Sequence, residues 1–302
     1  MESSPVKSRL LLVSAAALFS TGGAAIKATA LTPWQVGSFR SGVAVLVLLM
    51  ALPEARRGWR WPMVPVAAAY AITMLLFVIA NRLTTAADTI FLQSTAPLYL
   101  LLLGPLLLRE RIRGADILYM MAVLGGIGLF FVGNESVLAT APNPRLGNAL
   151  ALASGLTYAL MLAGLRWMAN RGLGASGLAA SALGNLLACV VALPLALPVH
   201  SFHAADLGVL LYLGVLQIGL GYVCLTRGIR RVPGVEATTL LMIEPALSPL
   251  WAWLIEGERP GGWGMAGGAV ILSATLANTW RHAKGRYLSS DSEPGENPPA
   301  LP

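Results

Sequence analysis

The stretch that decides the fold is residues 240–259, which read LLMIEPALSPLWAWLIEGER. It is apolar enough for the core of a protein or of a bilayer, yet Glu244 is followed at once by Pro245 and soon afterwards by Pro249. A proline inside a helix removes a backbone hydrogen bond, and an unpaired carboxylate in apolar surroundings is costly. What this stretch does therefore depends on the solvent around it.

Composition identifies that solvent. Of the 302 residues, 56% are hydrophobic and only 12% are charged, and the mean hydropathy is +0.69. Soluble domains usually carry about 25% charged residues. A chain with so few charges cannot cover itself with a polar surface, so most of its exterior must face lipid. We predict an all-α, polytopic membrane protein.

Ten apolar runs divide the chain. A bilayer core of roughly 30 Å needs about 20 helical residues to cross it. Runs of this kind occupy about residues 10–28, 34–53, 62–81, 88–108, 114–133, 146–168, 175–197, 206–226, 235–256 and 262–281. From Gly285 onward the composition turns to Ser, Asp, Glu, Pro and Gly, which is typical of a disordered tail.

The predicted organisation has five parts. They are a cytoplasmic N-terminal tail, a first five-helix repeat, a connecting loop, a second five-helix repeat and a disordered cytoplasmic tail, at residues 1–9, 10–133, 134–145, 146–281 and 282–302. We expect the two repeats to enclose a central cavity.

The net charge of +7 reports on orientation. With the N-terminus inside the cell, 16 of the 21 Lys and Arg residues fall on the cytoplasmic side and four on the other, and Arg40 alone lies well inside a span, away from its ends. Cytoplasmic loops are enriched in Lys and Arg, so we predict that both termini are cytoplasmic. Topology explains the basicity, and no nucleic-acid partner is expected. Arg40 is expected to snorkel towards the nearer membrane surface.

An internal repeat relates the two halves. An offset of 148 residues aligns the fourth and ninth spans without a gap and places Pro97 on Pro245 and Glu110 on Glu258. Because each half holds five spans, an odd number, the second half must cross the membrane in the opposite sense. Inverted repeats are typical of secondary transporters, whose substrate site lies near the bilayer midplane beside broken helices.

The repeated motif carries a family resemblance. The fourth span of each half ends in Arg109-Glu110-Arg111 or Gly257-Glu258-Arg259, 13 residues after a proline. In this the chain resembles the ten-helix class of the drug/metabolite transporter superfamily, with its EamA-type repeats, over about residues 10–281, although Arg109 replaces the usual glycine. Within that class it is similar to the bacterial amino-acid exporters of the YddG type. The resemblance implies a ten-helix fold around a central cavity and export of small metabolites, and hence a bacterial inner-membrane location.

Glu244 is the first candidate for substrate binding. It lies near the middle of its span, where a charged carboxylate costs on the order of 2.5–3.5 kcal/mol unless it faces a cavity or is protonated. The alternative is a structural acid that hydrogen-bonds to a neighbouring helix. The full set of candidate substrate-binding residues is Glu244, Gln93, Tyr99, Tyr158, Trp251, Tyr70, Phe77 and Gln217.

Four prolines are candidate hinges, namely Pro97, Pro105, Pro245 and Pro249. Each removes a backbone N–H and so frees a carbonyl, including those of Gln93 and Leu241, which could accept from a substrate ammonium group. The same prolines permit the bending that alternating access requires. The alternative is that they are ordinary structural kinks.

Motif searches exclude several other functions. The three histidines, His200, His203 and His282, lie outside the spans and form no H-E-x-x-H motif, and no G-x-x-x-x-G-K-[ST] loop is present. We therefore predict no enzyme activity, no cofactor and no metal.

The predicted function is a secondary transporter that exports amino acids, aromatic and other neutral ones, with loose selectivity. The alternatives are a multidrug or lipophilic-cation exporter and, more remotely, a channel or scaffold. The expected partners are this substrate and the lipid bilayer; no obligatory protein partner is evident, and a monomer is expected.

Overall fold

The regular secondary structure of the described residues is helical, apart from an isolated bridge between Leu138 and Ala141. The computed structural model describes residues 5–107, 114–132, 138–173, 177–229, 232 and 234–290. Within them, ten long helices follow one another, several of them interrupted: helix 1 (Pro5–Ser20 and Gly22–Lys27), helix 2 (Pro33–Ala51), helix 3 (Met63–Leu83), helix 4 (Ala86–Gln93 and Ala96–Leu107), helix 5 (Gly114–Val132), helix 6 (Pro144–Asn170), helix 7 (Gly177–Ala196), helix 8 (Ala204–Leu211, Tyr212–Leu220 and Gly221–Gly228), helix 9 (Gly234–Leu241 and Ile243–Glu256) and helix 10 (Gly262–Ser290). A short helix, Pro53–Arg56, lies between helices 2 and 3.

The predicted all-α membrane architecture is confirmed. By length and apolar composition, helices 1 to 8 each contain a segment able to cross a membrane, which gives eight candidate spans in the described part of the chain. Helices 9 and 10 occupy the two remaining predicted spans.

Local sequence sets several helix starts. Thr32 caps helix 2 and forms a reciprocal capping box with Gln35. The Thr85 side chain accepts from the backbone N–H of Asp88 at the start of helix 4, and Asn143 caps helix 6. Each cap satisfies an N–H group that has no partner inside its helix, so these starts can be read from the sequence.

Helices 4 and 9 are both broken near their middle. Residues 94–95 interrupt helix 4, and Met242 interrupts helix 9. Pro97 and Pro245 then fall in the first turn of the following segment, where the missing N–H would have had no helical partner. The breaks occupy equivalent positions in the two repeats, as the proline pattern predicts. Bending at these positions during transport stays a prediction.

The other two predicted hinges lie further along the same helices. Pro249 is inside the second segment of helix 9, without a break in the helix. The backbone of Pro105 belongs to the second segment of helix 4, and its side-chain surroundings lie outside the described part of the structure. Two further irregularities were not predicted from the prolines in the sequence. They are a break at Thr21 in helix 1 and a π-helical segment at Tyr212–Leu220 in helix 8.

Helix packing follows the internal repeat. Helix 3 packs on helix 6, and the equivalent pair is helix 8 on helix 1. Helix 2 packs on helix 7, helix 5 on helix 10, and helix 4 on helix 9, and each of these pairs joins equivalent helices. At the contact between helices 5 and 10, a Cβ on Gly267 would lie 2.6 Å from the Gly126 carbonyl oxygen, so only glycine allows the helices to approach this closely. The arrangement is that of a duplicated domain.

The distribution of exposed apolar and buried polar side chains is the one expected for a protein in a lipid bilayer. Met50 and Leu118 are 75% and 73% exposed, whereas Ser38, Thr73 and Asn185 are completely buried. In water, exposing many large apolar side chains while burying polar ones would be unfavourable. In a bilayer the exposed apolar side chains face hydrocarbon, and polar groups gain by meeting one another inside.

Thiol labelling should establish the orientation. In a variant with Cys189 and Cys224 replaced by alanine, a single cysteine at His200 is expected to react with an impermeant maleimide added to intact cells. A cysteine at Arg57 should react only after the membrane is permeabilised. Both positions lie in exposed connections between helices, so accessibility to water alone does not distinguish them. The opposite labelling pattern would contradict cytoplasmic termini.

Candidate functional site

Three polar side chains come together between the helices. Glu244, Tyr158 and Tyr222 each keep intermediate solvent accessibility. They come from helices 9, 6 and 8, and both tyrosine hydroxyls lie within electrostatic range of the Glu244 carboxylate.

The break in helix 9 positions Glu244. Because the helix restarts at Ile243, Glu244 lies in the first turn of a new segment. The N-terminal end of a helix carries partial positive charge, which favours a carboxylate there. In the described part of the chain, Glu244 forms no ion pair with Lys or Arg, whereas Glu236, Glu258 and Asp116 each do.

Aromatic and polar contacts lead from this cluster into the first repeat. The ring of Tyr222 lies against that of Tyr70 of helix 3, with ring centroids 6.2 Å apart. Asn185 of helix 7 donates from Nδ2 to the Tyr70 hydroxyl over 3.0 Å. Phe19 of helix 1 packs edge-on against Tyr222, with ring centroids 5.6 Å apart. The Tyr222 ring is thus held from two sides, by contacts with helices of the first repeat.

Arg40 lies near Tyr70 and does not snorkel. The prediction that its side chain extends to the nearer membrane surface was therefore wrong. Arg40 is 1% exposed. Its Nη2 lies 3.4 Å from the Met74 carbonyl oxygen, Nε has no hydrogen-bond partner, and the guanidinium is electrostatically coupled to Tyr70. Helix 2 is covered by helices 3, 7 and 8, so this side of the helix meets protein instead of lipid.

The structure brings Tyr70, Tyr158 and Glu244 together and places the other candidates in separate contacts. Gln93 donates from Nε2 to Ser154 Oγ over 2.6 Å. Trp251 donates from Nε1 to Ser20 Oγ over 2.9 Å, beside the break in helix 1. These two contacts tie the broken helices 4 and 9 to helices 6 and 1, which are equivalent positions in the repeat.

The remaining three candidates have more local surroundings. Phe77 packs within two apolar clusters. Gln217 is buried in the π-helical turn of helix 8 and packs against Gly22. Tyr99 interacts with the Thr95 side chain at the break in helix 4. None of these contacts tests a substrate-binding role, which stays a prediction for each residue.

The carbonyl of Gln93, predicted to be freed by Pro97, faces helix 6. A Cβ on Gly155 would lie 3.2 Å from the carbonyl oxygens of both Gln93 and Leu92. Glycine at position 155 therefore lets helix 6 lie directly against the break in helix 4.

A buried ion pair joins the two repeats at one end of the helices. Lys27, at the end of helix 1, lies 2.9 Å from Glu258 Oε1, and their side chains are 3% and 0% exposed. Lys27 also donates to the carbonyls of Thr84 and Thr140, and Glu258 Oε2 accepts from the first N–H of helix 4, that of Ala86. Glu258 therefore caps helix 4 and pairs with a lysine that lies 231 positions away along the chain.

A second polar network lies at the same end of the helices. Arg82, at the end of helix 3, donates to the backbone carbonyls of Thr29 and Leu31. The Thr29 hydroxyl donates in turn to Asp206 at the start of helix 8, over 2.5 Å. Together the two networks connect helices 1, 3, 4, 8 and 9, so both repeats are fastened to each other at this end.

Three members of the interior cluster, Tyr222, Asn185 and Arg40, were not among the residues predicted to bind substrate. The signal that could have found them was the cost of placing any polar group deep in a span, and Arg40 is the one basic residue well inside a predicted span, away from its ends. For a metal, the described residues offer no group of three or more His, Cys, Asp or Glu side chains.

A broken-helix repeat around an enclosed polar cluster defines a class of protein, the secondary transporters. Comparison with known proteins identifies the family. The EamA-like transporter family matches residues 7–132 and again residues 145–280. The chain therefore belongs to the EamA-like transporter family, and it is a transporter rather than an enzyme.

Individual relatives agree with this assignment. An uncharacterized protein of Pseudomonas aeruginosa is 31% identical over 297 residues, which cover 90% of this chain and 98% of the relative. The pseudopaline exporter CntI of P. aeruginosa strain UCBPP-PA14 is 28% identical over 282 residues, covering 89% of this chain and 94% of the exporter. A crystal structure with 19% sequence identity superposes with a TM-score of 0.57, over 91% of this chain and 97% of the other, and so shares the fold.

Proposed function

We propose that this transporter exports amino acids, aromatic and other neutral ones, by alternating access. The observation that carries the proposal is the Glu244 carboxylate between the helices. In the described residues it forms no ion pair with Lys or Arg, and it interacts electrostatically with the hydroxyls of Tyr158 and Tyr222. A buried carboxylate is stabilised by a cationic partner, and the ammonium group of an amino acid can provide one.

The surroundings of Glu244 fit the rest of such a substrate. The aromatic rings of Tyr158, Tyr222 and Phe19 can cover an apolar side chain. An apolar pocket distinguishes substrates that differ by one methylene by only about 1–3 kcal/mol, so selectivity among neutral amino acids should be loose. The similarity to an exporter of pseudopaline supports outward movement of a small metabolite.

Alternating access has a structural basis in the two repeats. The breaks in helices 4 and 9 provide positions at which each repeat can bend. The Lys27–Glu258 pair and the Arg82 network join the two repeats at one end, and we infer that this end is the closed one. Under the orientation proposed above, the closed end is the extracellular one, and the substrate would enter from the cytoplasm.

The second candidate is export of lipophilic cations. The same acid beside aromatic rings is suited to a quaternary ammonium ion, because aromatic faces attract cations. The edge-on contact of Phe19 with Tyr222 beside Glu244 is the observation that favours this alternative.

Counterflow separates the two functions. Proteoliposomes that hold only this protein are loaded with unlabelled L-phenylalanine and diluted into labelled L-phenylalanine. Transient accumulation of label several-fold above protein-free liposomes is expected. Counterflow of tetraphenylphosphonium with none of phenylalanine, leucine or threonine would favour the cation exporter and overturn the proposal.

A further inference from the structure

The connection between helices 2 and 3 interleaves arginine with tryptophan. Residues 56–61 read RRGWRW, and all the arginine and tryptophan side chains among them are exposed, Trp61 by 85% and Trp59 by 46%. Large apolar side chains that are exposed close together mark surfaces that contact a protein or a membrane. We refer to Arg56, Arg57, Trp59, Arg60 and Trp61 as the basic–aromatic patch.

The patch is held at the ends of the spanning helices. The short helix Pro53–Arg56 follows helix 2 directly, and Leu52 and Ala55 are 5% and 0% exposed. Both pack in one apolar cluster with Ala182 of helix 7. Trp59 Nε1 donates to the Ala55 carbonyl oxygen over 3.0 Å. The connection is therefore folded against the helix ends instead of extending into water, and its side chains lie at the depth of the lipid headgroups.

A further arginine and tryptophan lie beside the patch, at the end of helix 6. Arg171 Cζ lies 4.3 Å from the centroid of the Trp167 ring, which places the guanidinium over the aromatic face. Trp167 packs in the same apolar cluster as Met63, which follows Trp61 by two positions. The combination of positive charge and indole thus continues from the connection onto the neighbouring helix.

The positive charges of the patch are not neutralised by ion pairs. In the described part of the chain, Arg56, Arg57 and Arg60 form none, whereas Arg9 pairs with Glu236. Like charges this close repel one another, so an anion placed among them is favourable. A planar guanidinium matches the geometry of a phosphate, and tryptophan favours the headgroup region of a bilayer. The anion that fits both properties is a phosphate held at the membrane surface.

We propose that the basic–aromatic patch binds the headgroup of an anionic phospholipid, with the arginines at its phosphate and the indoles beside the adjoining glycerol and acyl groups. Basic residues directly beside a span are each expected to contribute about fivefold to the affinity for anionic lipid. Bound lipid would also strengthen the contact of the connection with helix 7. This proposal is independent of which molecule the protein transports.

Thermal unfolding of the purified protein in a neutral detergent tests the proposal. Dioleoylphosphatidylglycerol is titrated into the micelles and compared with dioleoylphosphatidylcholine, which has the same acyl chains and a phosphate but no net charge. The anionic lipid should raise the unfolding temperature, because a ligand that binds only the folded protein stabilises it. The zwitterionic lipid should do so much less. Inorganic phosphate at the same concentration should have no effect, since it is not held at the micelle surface.

The Arg57→Gln/Arg60→Gln variant identifies the binding surface. It should need at least about tenfold more phosphatidylglycerol for half of the wild-type stabilisation, because two of the three charges are gone. Without lipid it should unfold like the wild type, since exposed arginines without an ion pair contribute little to stability. A loss of the lipid response is therefore not a loss of the fold.

The matched control is Arg145→Gln/Arg259→Gln, which also removes two exposed arginines. Arg145 lies in the first turn of helix 6, whereas Arg171 directly follows the last residue of that helix, so Arg145 is at the end of helix 6 away from the patch. Arg259 follows Glu258, which caps the start of helix 4. This control should respond to phosphatidylglycerol like the wild type.

Three results would overturn the proposal. They are equal stabilisation of the wild type by the two lipids, stabilisation by inorganic phosphate, and an unchanged response of Arg57→Gln/Arg60→Gln to phosphatidylglycerol. An equal loss of response in the control would also overturn it, because the net charge of the whole protein, and not the patch, would then attract the lipid.

Discussion

Replacing Glu244 with glutamine is expected to reduce phenylalanine counterflow at least about tenfold, while thermal unfolding stays within a few degrees of the wild type. Glutamine has nearly the same shape but no charge, so the substrate ammonium loses a charge-assisted hydrogen bond worth about 1.5–3 kcal/mol. At about 1.4 kcal/mol per factor of ten, that loss corresponds to roughly a tenfold to hundredfold change. Stability should not fall, because Glu244 has no cation partner in the described residues that the change would leave buried.

The matched control for this variant is Glu236→Gln in the first segment of the same helix. Glu236 pairs with Arg9, and the two side chains are 34% and 51% exposed. Exposed ion pairs contribute little, so the control should transport and unfold like the wild type. Normal counterflow by Glu244→Gln would show that Glu244 is a structural acid, which is the alternative that the sequence left open.

Breaking the buried pair of Lys27 and Glu258 should have the largest effect on stability. Replacing Glu258 with glutamine leaves the Lys27 ammonium 3% exposed without its carboxylate. Loss of one partner of a buried ion pair typically costs about 3–5 kcal/mol, because the other charge stays buried without compensation. The Glu258→Gln protein should therefore unfold at a clearly lower temperature in detergent. Lys27→Met should be destabilised for the corresponding reason.

A double-mutant cycle makes this prediction specific. The Lys27→Met/Glu258→Gln double variant should be less destabilised than the sum of the two single variants, since it contains no uncompensated charge. Strictly additive effects would mean that the two residues act independently and that the pair does not fasten the two repeats. Glu236→Gln again serves as the reference for an exposed pair, with a change near zero.

The sequence determined the membrane architecture because the signals involved are local. Lipid offers no hydrogen-bond partners, so each crossing must be a helix of about 20 apolar residues, and such runs can be counted directly. Pro97 and Pro245 predicted the breaks that follow Gln93 and Leu241. A proline has no backbone N–H, so the helical hydrogen bond to the residue four positions earlier is lost whatever packs around it. The matching positions of these prolines also forecast the duplicated fold.

Only the tertiary structure decided which polar side chains meet. The spans are apolar around most of their circumference, so the sequence scarcely marks the face of each helix that turns inward. Arg40 could therefore have faced lipid and snorkelled, but helices 3, 7 and 8 cover it. Lys27 and Glu258 are 231 positions apart, and Tyr70 and Tyr222 lie in different repeats. Their contacts depend on how helices pack, and in an apolar chain packing is decided by the fit of many side chains together rather than by any local pattern.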